Sequence, residues 1–394
     1  MASITEPAGR LRPPPMGVPL LEDLPSLSGK SVLVRATLDL PLAPRSGSPA
    51  ARQRAALLTA TLFHLARRAR RVIVYGDRGR GAGGPPLIQE KAIAQLLSQG
   101  APYGARAWPS DCGEDEAAVE LLVAGHDVFV NDSFHWSHLP FPSVMIPPVR
   151  LPAAAGRSLE HDLRIAEDLL HRARRPVVAV IGGADPLPRL HGLEGLVLRA
   201  DEVLVGGAVS QPMLVAIGRE HGDDSGDFSS ECRSLFGLAQ RVQHPIHLPQ
   251  DLVVTDPDAG VRTVPATGDI PGRVEDIGPA TAKRFFEIVE GAATVLWTGS
   301  LGRVEDPRFS SGTVTVARAL RAGRPEMVVL AGDALTTAVV ARDACGPDAL
   351  MGVRVATATL PLLEILRGGD LPSLQALRAG VLETGRARLP GPAA

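Results

Sequence analysis

Lysine is almost missing from this chain. Lys30, Lys91 and Lys283 are the only ones, so arginine carries nearly all the positive charge. Arginine is a planar fork of donors suited to carboxylate and phosphate, and not an interchangeable point charge. Cysteine is also scarce. Cys112, Cys232 and Cys345 lie far apart without metal-like spacing, the pattern of free thiols in a cytosolic protein. No apolar run reaches the ~18 residues that a membrane span needs. The first residues, MASITEPAGRLRPPPMGVP, lack an apolar leader core, so no secretory signal is expected and a cytoplasmic location is. A net charge of −2 gives no reason to expect nucleic acid or an anionic membrane as a partner.

What is present is an ordinary globular composition, 45% apolar and 21% charged. Single cores stop growing near ~250–300 residues, so 394 residues suit two domains. Residues 1–16 are proline-rich and aperiodic, a disordered extension. Strand-like apolar runs then follow at 31–35, 72–75, 127–131, 177–181, 202–205, 294–297, 327–330 and 352–356. Between them lie helical patterns at 51–68, 86–98, 114–124, 158–172, 280–290, 312–321 and 334–344. This alternation argues for parallel sheets covered on both faces. The helix at 158–172, followed by Arg174-Arg175-Pro176, reads as the link between two α/β domains. The expected partition is 17–157, linker helix 158–174, 175–372, and a tail from 373 to 394.

Ligands of open parallel sheets bind beyond the carboxyl ends of the strands. The first such end, VLVRATLDLPL at 32–42, places Arg35 in the strand with Thr37 and Asp39 just past it. The next helix opens AARQRAAL, with Arg52 and Arg54 in its first turn, where the helix dipole disfavours cations unless an anion sits between. The plainer alternative is solvated surface charge. VIVYGDRGRG at 72–81 carries Arg78 and Arg80 in a glycine turn. DVFVNDSFHWSH at 127–138 brings His135 and His138 near a strand end; with no third ligand in sight, they read as structural or surface residues.

The second half carries phosphate-approaching turns. VVAVIGGAD at 177–185 and EVLVGGAV at 202–209 each end a buried strand in two glycines, Gly182–Gly183 and Gly206–Gly207. A turn built to receive phosphate normally has a cation beside its glycines, yet here the next polar residue is Asp185. DIGPAT at 276–281 reads as an N-cap before a helix with Pro279 in or near its first turn. VVLAGDAL at 328–335 sets Asp333 where strand becomes helix, as a cap or as a holder of Mg²⁺ on a bound phosphate.

In order, these segments resemble the phosphoglycerate kinase family from about residue 17 to 380. The family pattern VLVRVDFNVPL is similar to residues 32–42, TRIRAAL to 51–57, SHLGRP to 76–81 and VNDAFGTAHRAHAS to 130–143. AGxLMEKEL is similar to 155–163, RPxxAILGGAK to 175–185 and LPVDVVV to 248–254. DIGP stands intact at 276–279, VWNGPMGVFE resembles 296–305, and GGGDTAA resembles 330–336. The resemblance implies two Rossmann-like parallel-sheet domains joined by a hinge helix. It implies phosphoryl transfer between ATP and the carboxylate of 3-phosphoglycerate, with Mg²⁺ and ATP/ADP bound by a monomer. By the same resemblance, Arg52 meets the transferring group, while Arg35, Asp39, Arg80 and Arg175 hold the acid. Gly182, Gly183, Arg189, Gly206, Gly207, Thr298, Glu305, Gly332 and Asp333 fall on the nucleotide side, with Asp333 reaching Mg²⁺ through the nucleotide and Glu305 the ribose.

The departures cluster at the reaction centre and the far end of the acid. The family's lysine after GGA is Asp185 here, which reverses the interaction with a moving phosphoryl group. The acid-binding Asp and Asn become Thr37 and Asp39, the phosphate-binding His becomes Asp77, and one arginine becomes Leu139. The glycine helix start TGGGAS reads TATLPL at 357–362, where Pro361 has no N–H to donate. The expectation is a carboxylate kinase of this fold in which 3-phosphoglycerate turnover is slow or another acid is used. The rivals are an ordinary kinase in which Arg189 replaces the lysine, and a catalytically silent nucleotide-binding or interaction protein.

Overall fold

The computed structural model describes residues 13–38, 49–76, 103–105, 115–219, 228–268, 270–332, 340 and 353–380. Two all-parallel sheets organise it. The first half holds β1 (Ser31–Ala36), β2 (Arg71–Tyr75), β3 (Tyr103–Ala105), β4 (Val128–Asp132) and β5 (Ala153–Ala155), in the order β3-β2-β1-β4-β5. The second holds β6 (Val177–Ile181), β7 (Glu202–Val205), β8 (Ile246–His247), β12 (Thr294–Thr298), β13 (Met327–Ala331) and β14 (Val353–Ala356), in the order β14-β13-β12-β6-β7-β8. Runs such as VLV, VVAVI and VVLA are buried on both faces, as parallel strands under helices must be. The strand order reverses beside β1 in one sheet and beside β6 in the other, and it is at the carboxyl ends of such points that open α/β sheets take ligands.

Helices α1 (Pro49–Ala66), α2 (Glu116–Ala124) and α3 (Pro142–Arg150) cover the first sheet. The linker helix is α4 (Arg157–His171). Its Leu159, Leu163 and Ile165 share one apolar cluster with Phe129 and Phe134 of the first half and with Ile181 and Leu363 of the second. The second half adds α5 (Pro186–Arg199), α6 (Gly207–Ala216), α7 (Ser229–Val242), α8 (Pro279–Glu290), α9 (Ser311–Gly323), α10 (Leu360–Arg367) and α11 (Pro372–Ala379). The fold is therefore α/β, with two Rossmann-like parallel-sheet units and a hinge helix between them.

Several features depart from the sequence reading, among them the end of the expected disordered extension, where Pro15–Gly17 form a 3-10 turn with Pro15 buried. A separate antiparallel sheet, β10-β9-β11, is formed by β9 (Asp251–Asp256), β10 (Gly260–Pro265) and β11 (Arg273–Ile277). The expected tail from residue 373 begins inside α11, whose Leu374 and Leu377 are buried and which packs on α3. The DIGP aspartate does not cap α8. Gly278 is the N-cap, and the carboxylate comes from Asp251 of β9, accepting from Ala280 N at 3.0 Å and Thr281 N at 2.8 Å. The helical pattern at 86–98 lies outside the described residues, as does that at 334–344 apart from Val340, which is helical and buried.

Candidate active site

The turns after β6, β7 and β12 are laced together by their own backbones. Gly182 N donates to Thr298 O at 2.8 Å, Gly183 N to Ser300 O at 2.7 Å, Gly207 N to Leu301 O at 2.9 Å and Ala208 N to Gly183 O at 3.0 Å. Gly183 and Gly207 hold φ of +104° and +56°, the left-handed region where a side chain is strained. A Cβ on Gly182 would strike the Ser300 carbonyl. The sequence reading turns these glycines toward phosphate. What they do here is let three turns meet at the switch point of the sheet, with the N–H groups of Gly182, Gly183 and Gly207 spent inside that junction.

Asp185 stands at the end of this junction, exposed, as the N-cap residue of α5 without a side-chain capping bond. One turn on, Arg189 folds back. Its Nη1 donates to Asp185 O at 3.2 Å, and its guanidinium occupies the space a Cβ on Gly183 would enter, 2.5 Å from that position. The β6 turn thus carries a cation after all, supplied from within α5. Thr298 is buried at the end of β12, and its Oγ1 has no hydrogen-bond partner among the described residues. Glu305 is exposed in the turn beyond β12, and Gly332 follows β13 beside Gly299. Asp333, Asp39 and Arg80 lie outside the described residues, as does Asp77. Among the described residues no cluster of three His, Cys, Asp or Glu could hold a metal.

In the first half, Arg35 sits in register with Tyr75 of β2 and Asn131 of β4. It is 3% exposed, and its Nε donates to Ser143 Oγ at 3.3 Å, while Tyr75 Oη donates to Ser143 O at 3.0 Å. Arg35 therefore anchors the first turn of α3 beneath the surface. Thr37 Oγ1 lies 2.7 Å from Ser133 Oγ. The helix bearing Arg52 starts at Pro49, two residues before the expected position, which puts Arg52 fourth and Arg54 sixth along α1. Arg54 Nη1 donates to Thr357 O at 3.4 Å, linking α1 to the end of β14.

Arg175 is a correction. It precedes β6 at the amino edge of the sheet and pairs with Asp201, just before β7. Five strand residues at about 3.3 Å each separate it from the Gly182 turn. The matching of RP to the family pattern holds as sequence, but the direction of β6 carries this arginine away from the crevice.

Sequence reasoning missed a buried polar seam between the halves. Asp132, at the end of β4, accepts from Thr61 Oγ1 at 2.7 Å, Ser158 N at 2.9 Å and Ser158 Oγ at 2.9 Å. Asp162 of α4 accepts from Thr357 N at 2.7 Å and also from Thr357 Oγ1. Burial pushes both carboxyls up to about 6, against the pull of these donors. Ala36, Thr37, Arg54, Asp132, Phe134 and Thr357 are among the residues lining a small cavity at this seam, with room for about one water. A signal existed: Asp162 falls on the apolar stripe of α4, with Leu159, Leu163 and Ile165 around it. The TATLPL segment enters α10 with Pro361 in its first two positions and Leu362 and Leu363 buried. Leu363 rests in the notch left by Gly192 of α5. His138 is partly buried, which lowers its pKa, and His135 stacks edge-on to Trp136, so both histidines are packing residues.

Two Rossmann-like parallel-sheet units joined through the linker helix α4 define a two-domain α/β architecture. Comparison with known proteins agrees. A family model described as phosphoglycerate kinase matches residues 104–368. Phosphoglycerate kinase of Salinispora tropica is 32% identical over 92% of this chain and 100% of its own length. That of Salinispora arenicola is 31% identical, with the same coverage. The solved phosphoglycerate kinase of Pyrococcus horikoshii OT3 superposes with a TM-score of 0.69 at 21% identity, covering 92% of this chain and 98% of its own. The chain belongs to the phosphoglycerate kinase family.

Proposed function

We propose that the protein moves a phosphoryl group between ATP and a carboxylate, giving an acyl phosphate, and that 3-phosphoglycerate is turned over slowly or replaced by another acid. The carrying observation is the β6 turn, where an exposed Asp185 stands at the N-cap and the only cation on the turn among the described residues is Arg189, folded onto Gly183. In this reading Arg189 meets the nucleotide phosphates, Glu305 the ribose and Arg52 the transferring group. Bound Mg²⁺ would supply charge neutralisation on the phosphates. Asp185 places negative potential where a phosphoryl group in transit needs positive, and each lost donor of that kind costs about 3–4 kcal/mol of barrier. Asp77 and Leu139 in place of a histidine and an arginine favour an acid without a distant phosphate.

A second reading is a silent nucleotide-binding or interaction protein. It is favoured by the glycine amides already bonded to each other and by the proline in the first turn of α10. The test couples MgATP and 3-phosphoglycerate to NADH oxidation through glyceraldehyde-phosphate dehydrogenase, beside a melt in millimolar MgADP. Slow turnover with a raised melting temperature is expected, because saturation at 100 Kd adds about 2.7 kcal/mol. Turnover of an ordinary glycolytic kinase would overturn the slow-kinase reading, and a melt unmoved by MgADP would favour the silent one.

A further inference from the structure

The far end of α1 carries chemistry that phosphoryl transfer does not use. Phe63 is 62% exposed, and the guanidinium of Arg67, one turn on, lies 5.4 Å from its ring centroid. Ala60, Phe63, His64, Arg67, Arg68 and Arg157 line one open groove of about 560 Å³, within the range of ligand clefts. The chain leaves the helix as RRARR, residues 67–71, and Arg70 and Arg71 are exposed. Their amides both donate to Lys30 O, which brings a further cationic residue to the same edge.

Part of this has a structural explanation. Arg68 Nη1 donates to His64 O at 2.9 Å, closing the helix end, where cations also suit the dipole. Arg157 is held by Glu22 and Glu160, and those carboxylates make one end of the groove acidic. Arg67, Arg70 and Arg71 are not accounted for in either way, and among the described residues they have no carboxylate within ion-pair distance. The −2 charge of the whole chain averages this cluster away. Burial and the Arg68 charge together keep His64 below its ordinary pKa, as an electropositive surface would.

We propose that this groove binds single-stranded nucleic acid, with a base stacked on the Phe63–Arg67 platform and the backbone phosphates running along Arg68, Arg70 and Arg71. An exposed ring beside guanidinium groups is what an unstacked base meets in sequence-tolerant single-strand sites. A duplex buries its base faces and could use only the charges. The concave shape and the single aromatic residue argue against a membrane surface, which takes a broad apolar stripe.

The test is fluorescence anisotropy of a labelled single-stranded oligonucleotide with the full chain, in saturating MgADP so that the crevice between the halves is blocked. Expected is binding that weakens with salt at a slope of about −0.7 per phosphate neutralised, so roughly −2 for three arginines. Phe63→Ala should weaken it by about 5–150-fold at an unchanged slope, while Phe63→Trp keeps it. Arg70→Ala with Arg71→Ala should flatten the slope by roughly 1.4. All these positions are exposed, and unchanged melting temperatures verify folding. No binding at low salt, loss of binding on adding MgADP, or affinity indifferent to Phe63→Ala and equally displaced by polyglutamate would each overturn the proposal.

Discussion

Asp162 and Thr357 tie the linker helix to the end of the last strand across 195 residues of sequence, the Thr357 amide at 2.7 Å from one carboxylate oxygen and its hydroxyl on the other. Arg54 of α1 holds the carbonyl of the same residue. The stretch that enters α10, the counterpart of the family's glycine helix start, is therefore pinned from the linker helix and from the first half together. Thr357→Val removes one bond to a buried carboxylate and should cost about 1.5–3 kcal/mol at pH 8, read by urea unfolding. With Asp162→Asn in a double-mutant cycle, the pair should couple by about 0.5–3 kcal/mol. Additive losses would show that the two residues act independently.

Three buried carboxyls set a pH dependence. Burial lifts Asp276 to about 7 and Asp132 and Asp162 to about 6. Asp276 accepts from Gly312 N at 2.8 Å and Ile277 N at 2.9 Å, which holds β11 to the start of α9. The folded state keeps protons on these groups that the unfolded chain, with aspartates near ~3.9, has released. Each therefore opposes folding more as pH rises from about 4 toward its folded value, and no further above it. Asp276→Asn should gain stability relative to the parent between about pH 5 and 7, by at most ~1.4 kcal/mol per unit. His64 and His138, shifted the opposite way, cancel in that difference. Chemical denaturation across the range decides it, since a constant difference means that Asp276 does not titrate there.

Gly183 answers two demands that a substitution can separate. Its φ of +104° strains any side chain, and its missing Cβ leaves room for the Arg189 guanidinium. Gly183→Ala should destabilise by about 1–3 kcal/mol from the backbone alone, with a steric part added. In the Arg189→Ala background the steric part vanishes and the backbone part stays. Thermal unfolding of the four proteins separates them, and an identical loss in both backgrounds would mean that Arg189 does not press on the turn.

The fold was legible because parallel strands buried on both faces write themselves as apolar runs. All eight strand expectations correspond to observed strands, most within a residue at each end. The misses have physical causes. α3 contains Pro147 and Pro148, and α5 contains Gly192 and Gly195, residues that speak against a helix until one sees that α10 needs the glycine notch. β9 alternates half-buried and buried residues because one face of its sheet is covered, a pattern distinct from the continuous runs elsewhere. At the site, residue types were legible and directions were not. The sequence names Arg35 and Arg175 as basic, but only the pleat and polarity of β1 and β6 put one under α3 and the other at the wrong end of its strand.

Arg175→Ala follows from that geometry. The side chain is 60% exposed and its pair with Asp201 is a surface one. Such pairs contribute about 0–1 kcal/mol. Kinetic constants for any acid substrate should be unchanged, and the melting temperature nearly so. A marked rise in KM for the acid would return Arg175 to the substrate side.

Asp185→Lys tests the charge argument most directly. The position is exposed, so the side chain can be exchanged without repacking. A cation at a helix N-terminus costs about 0.3–1 kcal/mol of stability, which a folded variant can absorb. In return, the potential at the β6 turn changes by two units of charge beside Arg189. Solvent screens part of that gain, so the expected rise in kcat/KM with 3-phosphoglycerate is roughly tenfold, below the ~10²–10³ of a fully desolvated donor. Adding Ala358→Gly, Thr359→Gly and Leu360→Gly frees the approach to α10 and should raise the rate again. Pro361, which still lacks an N–H, sets the ceiling. A folded Asp185→Lys variant whose rate equals that of the parent would place the limiting defect at the acid end, where Thr37 and Leu139 stand.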